Sequence, residues 1–341
     1  MKVTARDVAR EAHVSPATVS LVFRGKPGVS RATRDHVLAV AKELGFEYVA
    51  GPSERSTNTI LLVVFKRTGQ VVAETPFFEV LIGGVVDAAA RHGYPGTPVS
   101  YFYGRESASE QLKTLRSIRC SGLILVATEA LATDVSQFEH LGVPMVLLDS
   151  WFPTKNLDSV VIDNLRGAYD AVRYLVARGH EDIGYLHCGV PIRNFLERQS
   201  GFVSAMREVA PRTEQAPPTV RVGSTIDEAY EDMKAYLQTG PHLSTAYFAD
   251  NDIVAVGCMR ALRERGVRVP EDVSIIGFDD MLLEEDISPT LTTMAVPKRP
   301  MGELAVSRLN DLIKGETSGE IVRVSVQTEI VERATVRDLR K

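Results

Sequence analysis

Few residues in this 341-residue chain have the types and spacing of a catalytic centre. No G-x-G-x-x-G follows the first apolar run, and G-x-x-x-x-G-K-[ST], H-E-x-x-H and a nucleophile elbow are all missing. The seven histidines show no metal-ligand spacing. Cys120, Cys188 and Cys258 are far apart without a C-x-x-C, which argues against a disulfide framework or zinc site and fits a reducing cytosol. No catalytic residue, metal or cofactor is expected. The remaining chemistry is that of binding. Residues 1–50 hold eight Lys/Arg against five Asp/Glu, a balance of +3, while the rest carries −8 of the net −5. A basic head on an acidic body suits a polyanion at one end only. A polar small molecule instead needs planar charged groups and aromatic faces. Asp149, ending an apolar run beside Ser150 and Trp151, and Phe77 with Phe78 at the start of a helix, are of those types.

The elements that must position these groups differ along the chain. Thr4-Ala5-Arg6-Asp7 reads as a capping box with Asp in the place of Glu, starting a helix that buries Val8, Ala9 and Ala12. Ser15 caps a second helix with Pro16 at its first position, and Gly25 is placed to end it. Ser30 caps a third, closed by Gly45. Only Ala12-His13-Val14 separates the first two, which is helix-turn-helix spacing. On the second helix Val19, Val22 and Phe23 face inward. Pro16, Ala17, Ser20, Leu21 and Arg24 form the opposite face, the one that enters a major groove in such a motif. Residues 49–58, Val-Ala-Gly-Pro-Ser-Glu-Arg-Ser-Thr-Asn, read as a linker.

From Thr59 onward short apolar runs alternate with helical patterns: 60–65, 99–103, 122–127 and 143–149, then a second series beginning at 160–162 and continuing at 183–186, 219–222, 246–249 and 273–277. Such alternation predicts parallel sheets covered by helices, in two similar subdomains, with a ligand at the carboxyl ends of the strands between them. No apolar stretch has the length of a signal peptide or a membrane span, so a cytoplasmic protein without a membrane partner is expected.

In the head, Asp7-Val8-Ala9, Val14-Ser15-x-x-Thr18-Val19-Ser20, Gly25, Val29-Ser30-x-x-Thr33-Arg34 and Leu44-Gly45-Phe46 resemble the lactose/galactose-repressor (LacI/GalR) family without a gap. The body resembles the same family, and the periplasmic sugar-binding proteins of that fold. It does so through Pro76-Phe77-Phe78, Gly142-Val143-Pro144 with Asp149, Val161-Ile162-Asp163-Asn164, Gly179-His180, Arg198-x-x-Gly201-Phe202, Asn251-Asp252, Val269-Pro270-Glu271-Asp272 through Asp280, and Leu291-Thr292-Thr293. The head departs from the family at His13, where Gly is favoured, and at Leu21, where many members carry Arg. The linker departs too. The family's hinge wedges a Leu into the minor groove, but no Leu lies between Leu44 and Leu61, so a flexible linker and a hinge ordered on DNA both stay open.

The resemblance implies an all-α helix-turn-helix head (1–48), a linker (49–58) and an α/β body (59–341) of two Rossmann-like, periplasmic-binding-protein-like subdomains with parallel sheets. The first is expected at 59–160 plus 292–318, the second at 161–290 plus 319–335. It implies DNA contacts from Thr4, Ser15, Pro16, Ala17, Thr18, Ser20, Leu21, Arg24, Ser30, Thr33 and Arg34. It also implies a ligand site of Phe77, Phe78, Asp149, Trp151, Arg198, Asn251 and Asp279, with Arg198 and Asp279 on facing sides of one cleft. Ser224 falls where some relatives place a stacking aromatic. Asp163, Asp252 and Asp280 read better as helix caps than as ligand contacts. The function so implied is that of a homodimeric transcriptional regulator, a repressor. It would bind a palindromic double-stranded operator under control of a small effector, a sugar or related polar metabolite. A sugar-binding protein without a DNA function, or an enzyme on the same fold, is the alternative.

Overall fold

The computed structural model describes residues 4–23, 29–44, 46, 58–72, 76–104, 108–209, 217–281 and 288–340. Gly25, Gly45, Arg24 and the linker from 49 to 57 lie outside them; Asn58 alone of the linker is described.

Three helices form the head: α1 (Ala5–Glu11), α2 (Pro16–Phe23) and α3 (Arg31–Glu43). Their starts are capped as the sequence predicts. Thr4 N–H donates to Asp7 Oδ2 at 3.0 Å, Ser15 Oγ accepts from Thr18 N at 3.0 Å, and Ser30 Oγ accepts from Thr33 N at 3.1 Å. His13 makes the turn at φ 52°, a left-handed backbone that costs any residue with a Cβ. Val8, Ala9, Ala12, Val19, Val22 and Val37 pack into one core, with Phe23 and Phe46 edge to face at 5.6 Å on its side.

The body alternates strand and helix. The first sheet orders β2 (Val99–Tyr103), β1 (Ile60–Lys66), β3 (Gly122–Val126), β4 (Met145–Leu148), β5 (Asp158–Ile162) and β11 (Arg323–Val326), with every pair parallel. The second orders β7 (Thr219–Val222), β6 (Ile183–Cys188), β8 (Ala246–Ala249), β9 (Ser274–Asp279), β10 (Thr292–Ala295) and β12 (Glu329–Val331). Its last pair alone, β10 with β12, is antiparallel. β1, β3, β4, β5, β8 and β9 are buried along their whole or nearly whole length, as strands covered on both faces must be. Covering helices include α4 (Pro76–Arg91), α7 (Asn164–Val176), α8 (Arg193–Val209), α9 (Ile226–Gln238), α10 (Asp252–Glu264) and α11 (Lys298–Lys314), where α5 (Ala108–Ser117) and α6 (Ala132–Glu139) complete the series.

The chain crosses between the sheets three times: after β5, after β10 and after β11. This corrects the sequence-based division of strands. Val161 and Ile162 close the first sheet instead of opening the second, Thr292–Ala295 lies beside β9 in the second, and Arg323–Val326 lies beside β5 in the first. Side-chain bonds fix these edges. Thr293 Oγ1 donates to Asp252 at 2.5 Å, holding β10 to the second lobe, while Val322 N–H donates to Asp158 at 2.5 Å, seating the approach to β11 on the first. Residues 323–331 form two strands, one for each sheet.

Candidate effector cleft

The carboxyl ends of both sheets turn toward one narrow cavity of about 30 Å³. That volume is well below the ~300–1,000 Å³ usual for occupied small-molecule sites. The first subdomain supplies Phe77 and Phe78 from the first turn of α4, Thr128 after β3, Asp149 after β4, and Val71 from the segment after β1. The second supplies Ile192, Asn194, Phe195 and Arg198 at the start of α8, with Asn251, Ile253, Asp279 and Met281. Six of the seven ligand residues expected from the sequence therefore meet here.

Arg198 anchors the floor. It is 2% exposed and donates from Nε to Asn164 at 2.8 Å, from Nη1 to the Asp250 carbonyl, and from Nη2 to Asp279 at 2.9 Å. Its guanidinium lies 3.7 Å over the Phe278 ring. Arg198 and Asp279 both belong to the second subdomain, on α8 and β9, so they do not face each other across the cleft as expected; they form a buried ion pair. Nearby, Lys298 directs its ammonium to the carbonyls of Asp279, Asp280 at 3.1 Å and Val296 at 3.4 Å. Asp250 accepts from the Tyr185 hydroxyl, from Cys188 N at 2.7 Å, and meets His187 Nδ1 at 2.8 Å.

Asp149 receives the Thr128 hydroxyl at 2.6 Å and the Asn194 amide at 3.0 Å, the latter from the opposite subdomain. Burial raises its carboxyl to about 7, against the opposing pull of these donors and of Arg198. Burial and neighbouring Asp279 likewise raise Asp252 to about 7. Both Asp149 and Asp279 sit at positive φ, 63° and 104°, a backbone region that a side chain occupies at a cost and that clusters at functional sites.

Other sequence readings find different places. Trp151 does not line the cavity. It stands beside it, stacked between Arg193 at 4.4 Å and Arg323 at 3.8 Å, donating from Nε1 to Glu197 at 2.9 Å. Its size and its indole N–H are satisfied by a cross-subdomain contact. Asn251, not Asp252, caps α10 through Val254 N at 3.0 Å, while Asp163 caps α7. Asp280 pairs with Arg333 at 2.6 Å instead of capping a helix. Ser224 lines a separate groove at the cleft's side, held by Glu228 at 3.0 Å. Thr128, Asn194, Asp250 and Lys298 escaped the sequence reading, since no local pattern marks a side chain whose partner is 19 to 62 residues away.

A further residue shapes the roof. Glu129 is buried, and its carboxylate accepts four backbone N–H groups: Thr68 and Gly69 at 2.8 and 2.9 Å on one oxygen, Val71 and Val72 at 2.8 and 2.9 Å on the other. Burial opposes its charge, yet the four donors together hold its carboxyl below the usual range. The strap 68–72 is thereby folded over the cleft, with Val71 packed against the second subdomain's apolar cluster.

In the head, Pro16 and Ser15 are exposed at the start of α2, and Thr4, Ser30, Thr18 and Thr33 are exposed or half-buried around helix starts. Arg34 uses one N–H on the Val22 carbonyl at 3.0 Å, tying α3 to the end of α2. Ala17, Ser20 and Leu21 lie on α2 by their backbone, their side chains being outside the described residues, as Arg24 is entirely.

Residues 4–47 match the bacterial regulatory proteins of the lacI family, and residues 172–336 match a periplasmic binding protein-like domain. The HTH-type transcriptional repressor PurR of Haemophilus influenzae is 31% identical over 98% of this chain and 99% of its own. The chain belongs to the lacI family. This lacI-family member is an allosterically controlled DNA-binding repressor with two Rossmann-like lobes behind a helix-turn-helix head. Among solved structures, the transcriptional regulator CelR–cellobiose complex superimposes with a TM-score of 0.71 at 29% identity, covering 98% of this chain and all of that one. The lac repressor dimer bound to operator and the anti-inducer ONPF gives 0.67 at 25%, covering 99% and 100%. Among the described residues, no helix is long and apolar enough to cross a membrane, and no group of three His, Cys, Asp or Glu is placed to hold a metal.

Proposed function

We propose that this regulator binds a palindromic operator as a homodimer, through heads at about 1–48 joined by the 49–58 linker to the body. Its effector is a sugar or related polar metabolite taken between the lobes. The observation that carries the reading is the cavity itself: Arg198, Asp279, Asp149, Asn194 and Asn251 converge beside Phe77, Phe78 and Phe195, the mix of planar charged groups and ring faces that hydroxylated molecules need. The cellobiose bound by CelR, and the dimer and operator of the lac repressor, support it by likeness. Thr4, Ser15, Pro16, Thr18, Ser30 and Thr33 would meet the phosphates and groove edges, as would Ala17, Ser20, Leu21, Arg24 and Arg34. Leu21 lacks the bidentate guanine contact that an Arg makes, worth ~1–3 kcal/mol, and fits a thymine methyl instead.

Selection of the full chain from random DNA tests this. A two-fold symmetric site is expected, and Leu21→Arg is expected to change its half-site. Operator titration with a panel of neutral sugars and nucleosides then reads the effector. An asymmetric site bound by a monomer, or chemical turnover of a bound sugar, would remove the reading.

A further inference from the structure

Resting on that reading of the cleft, we infer that its effector is an uncharged or cationic hydroxylated molecule, and that phosphorylated sugars and nucleotides are excluded. A phosphate leaving water needs cations or free N–H donors aimed at it. Arg198 is the one cation among the described residues lining the cavity, and its charge is matched by Asp279 at 2.9 Å. Lys298, behind it, gives its ammonium to three carbonyls. Around these two buried cations stand four buried carboxylates: Asp149, Asp250, Asp252 and Asp279. Three of the four are themselves resisted in ionising by burial, Asp149 and Asp252 raised to about 7 and Asp279 raised too, so the site already opposes added negative charge. The first turns of α4 and α8 do bring partial positive charge to the cavity. At α8, however, that place is taken by Asp149, bonded to Asn194 at 3.0 Å.

The adjoining groove repeats the sign. It opens between Gln70 of the strap and the loop 189–191, and is lined by Asp227, Glu228, Glu231 and Asp232 with no Lys or Arg among its described residues. Glu228 and Asp232 are also bonded to the backbone N–H groups of Ser224 and Gly223, which keeps their charge at the rim. An anion approaching by this groove meets negative charge before it reaches the chamber, while Arg193 and Arg323 stand on the Trp151 side of the rim.

Two measurements on the full-length protein test the inference. The first is calorimetric titration with matched pairs: ribose and ribose 5-phosphate, glucose and glucose 6-phosphate, cytidine and cytidine monophosphate. Each ester is expected to bind at least tenfold more weakly than its neutral partner. An ester that binds as well or better overturns the inference. The second needs no effector. In Gln70→Cys, the exposed thiol is modified by a cationic and an anionic methanethiosulfonate reagent, each rate divided by that with a small free thiol; the unsubstituted protein, whose three cysteines are buried, supplies the background. The cationic reagent is expected to react at least tenfold faster in low salt, a ratio that shrinks as salt screens the rim. Equal rates overturn the inference. If no pair member binds but the rates differ as stated, the charge selection stands and the hydroxylated-effector reading fails.

Discussion

At the scale of single residues, the cleft is dominated by buried charges. Asp149 carries a measurable consequence. Its carboxyl is raised from the ordinary value near 4 to about 7, so the folded state holds a proton that the unfolded chain has already lost. The associated stability is therefore full below about pH 4 and falls away as pH rises through 7. Asp149→Asn removes that loss. The variant is expected to gain melting temperature relative to the unsubstituted protein at pH 8 and much less at pH 5; a difference independent of pH would refute the buried-charge account. Arg198 and Asp279 carry another. Because they pair when buried, truncating one leaves the other alone, and Arg198→Ala should cost about 3–5 kcal/mol of folding stability. Replacing both, as Arg198→Met with Asp279→Leu, should recover most of it in a denaturant titration. An Arg198→Ala chain as stable as the original would show the pair to be idle. Asp149 could be found from the sequence because it ends an apolar run, and Asp279 through the family resemblance. The partners of Asp149 could not, since Thr128 meets it only when β3 and β4 pair and Asn194 only across the two lobes. Trp151 misled for a related reason: its place beside Asp149 in the chain points equally to the cavity and to the rim, and Arg193, Glu197 and Arg323 decide for the rim.

At the scale of elements, the three helix starts of the head were legible in the sequence. Caps at Thr4, Ser15 and Ser30 are local chemistry, and local chemistry is written in the sequence. The turn at His13 shows where that writing records a conflict. A left-handed backbone costs a residue with a Cβ about 1–2 kcal/mol, whereas glycine gives back about 0.4–1 kcal/mol through its freer unfolded chain. His13→Gly should thus stabilise the head by about 0.5–1 kcal/mol, read as slower amide exchange across α1 and α2 in the intact protein. Faster exchange would mean that the imidazole makes a compensating contact. In the body, continuous apolar runs announced the central strands. The edges were another matter: β11 and β12 are short and half exposed, their side chains alternate without a buried face, and nothing local says which sheet each will join.

At the scale of the whole molecule, the proposed dimer would act through how the body sets its two heads on DNA. Without a leucine in 49–58 to pry apart the central base step, the operator is expected to bend less than with family members that have one, since such a wedge exchanges a few kcal/mol of stacking for added contact. Fluorescence distances between the ends of a bound operator read the angle, and a sharp central kink would show another residue acting as wedge. The three crossings between the sheets have a further consequence, this time for the ribosome. β5 is made more than 150 residues before β11, the strand that completes its sheet, and β10 waits over 30 residues for β12. A chain emerging N-terminus first cannot finish one lobe and then begin the other. Both stay open at an edge until the final twenty or so residues arrive, and then close almost together. Translation stopped before residue 323 would therefore leave both sheets without an edge strand at once, where in a chain of two successive domains it would trim only the second.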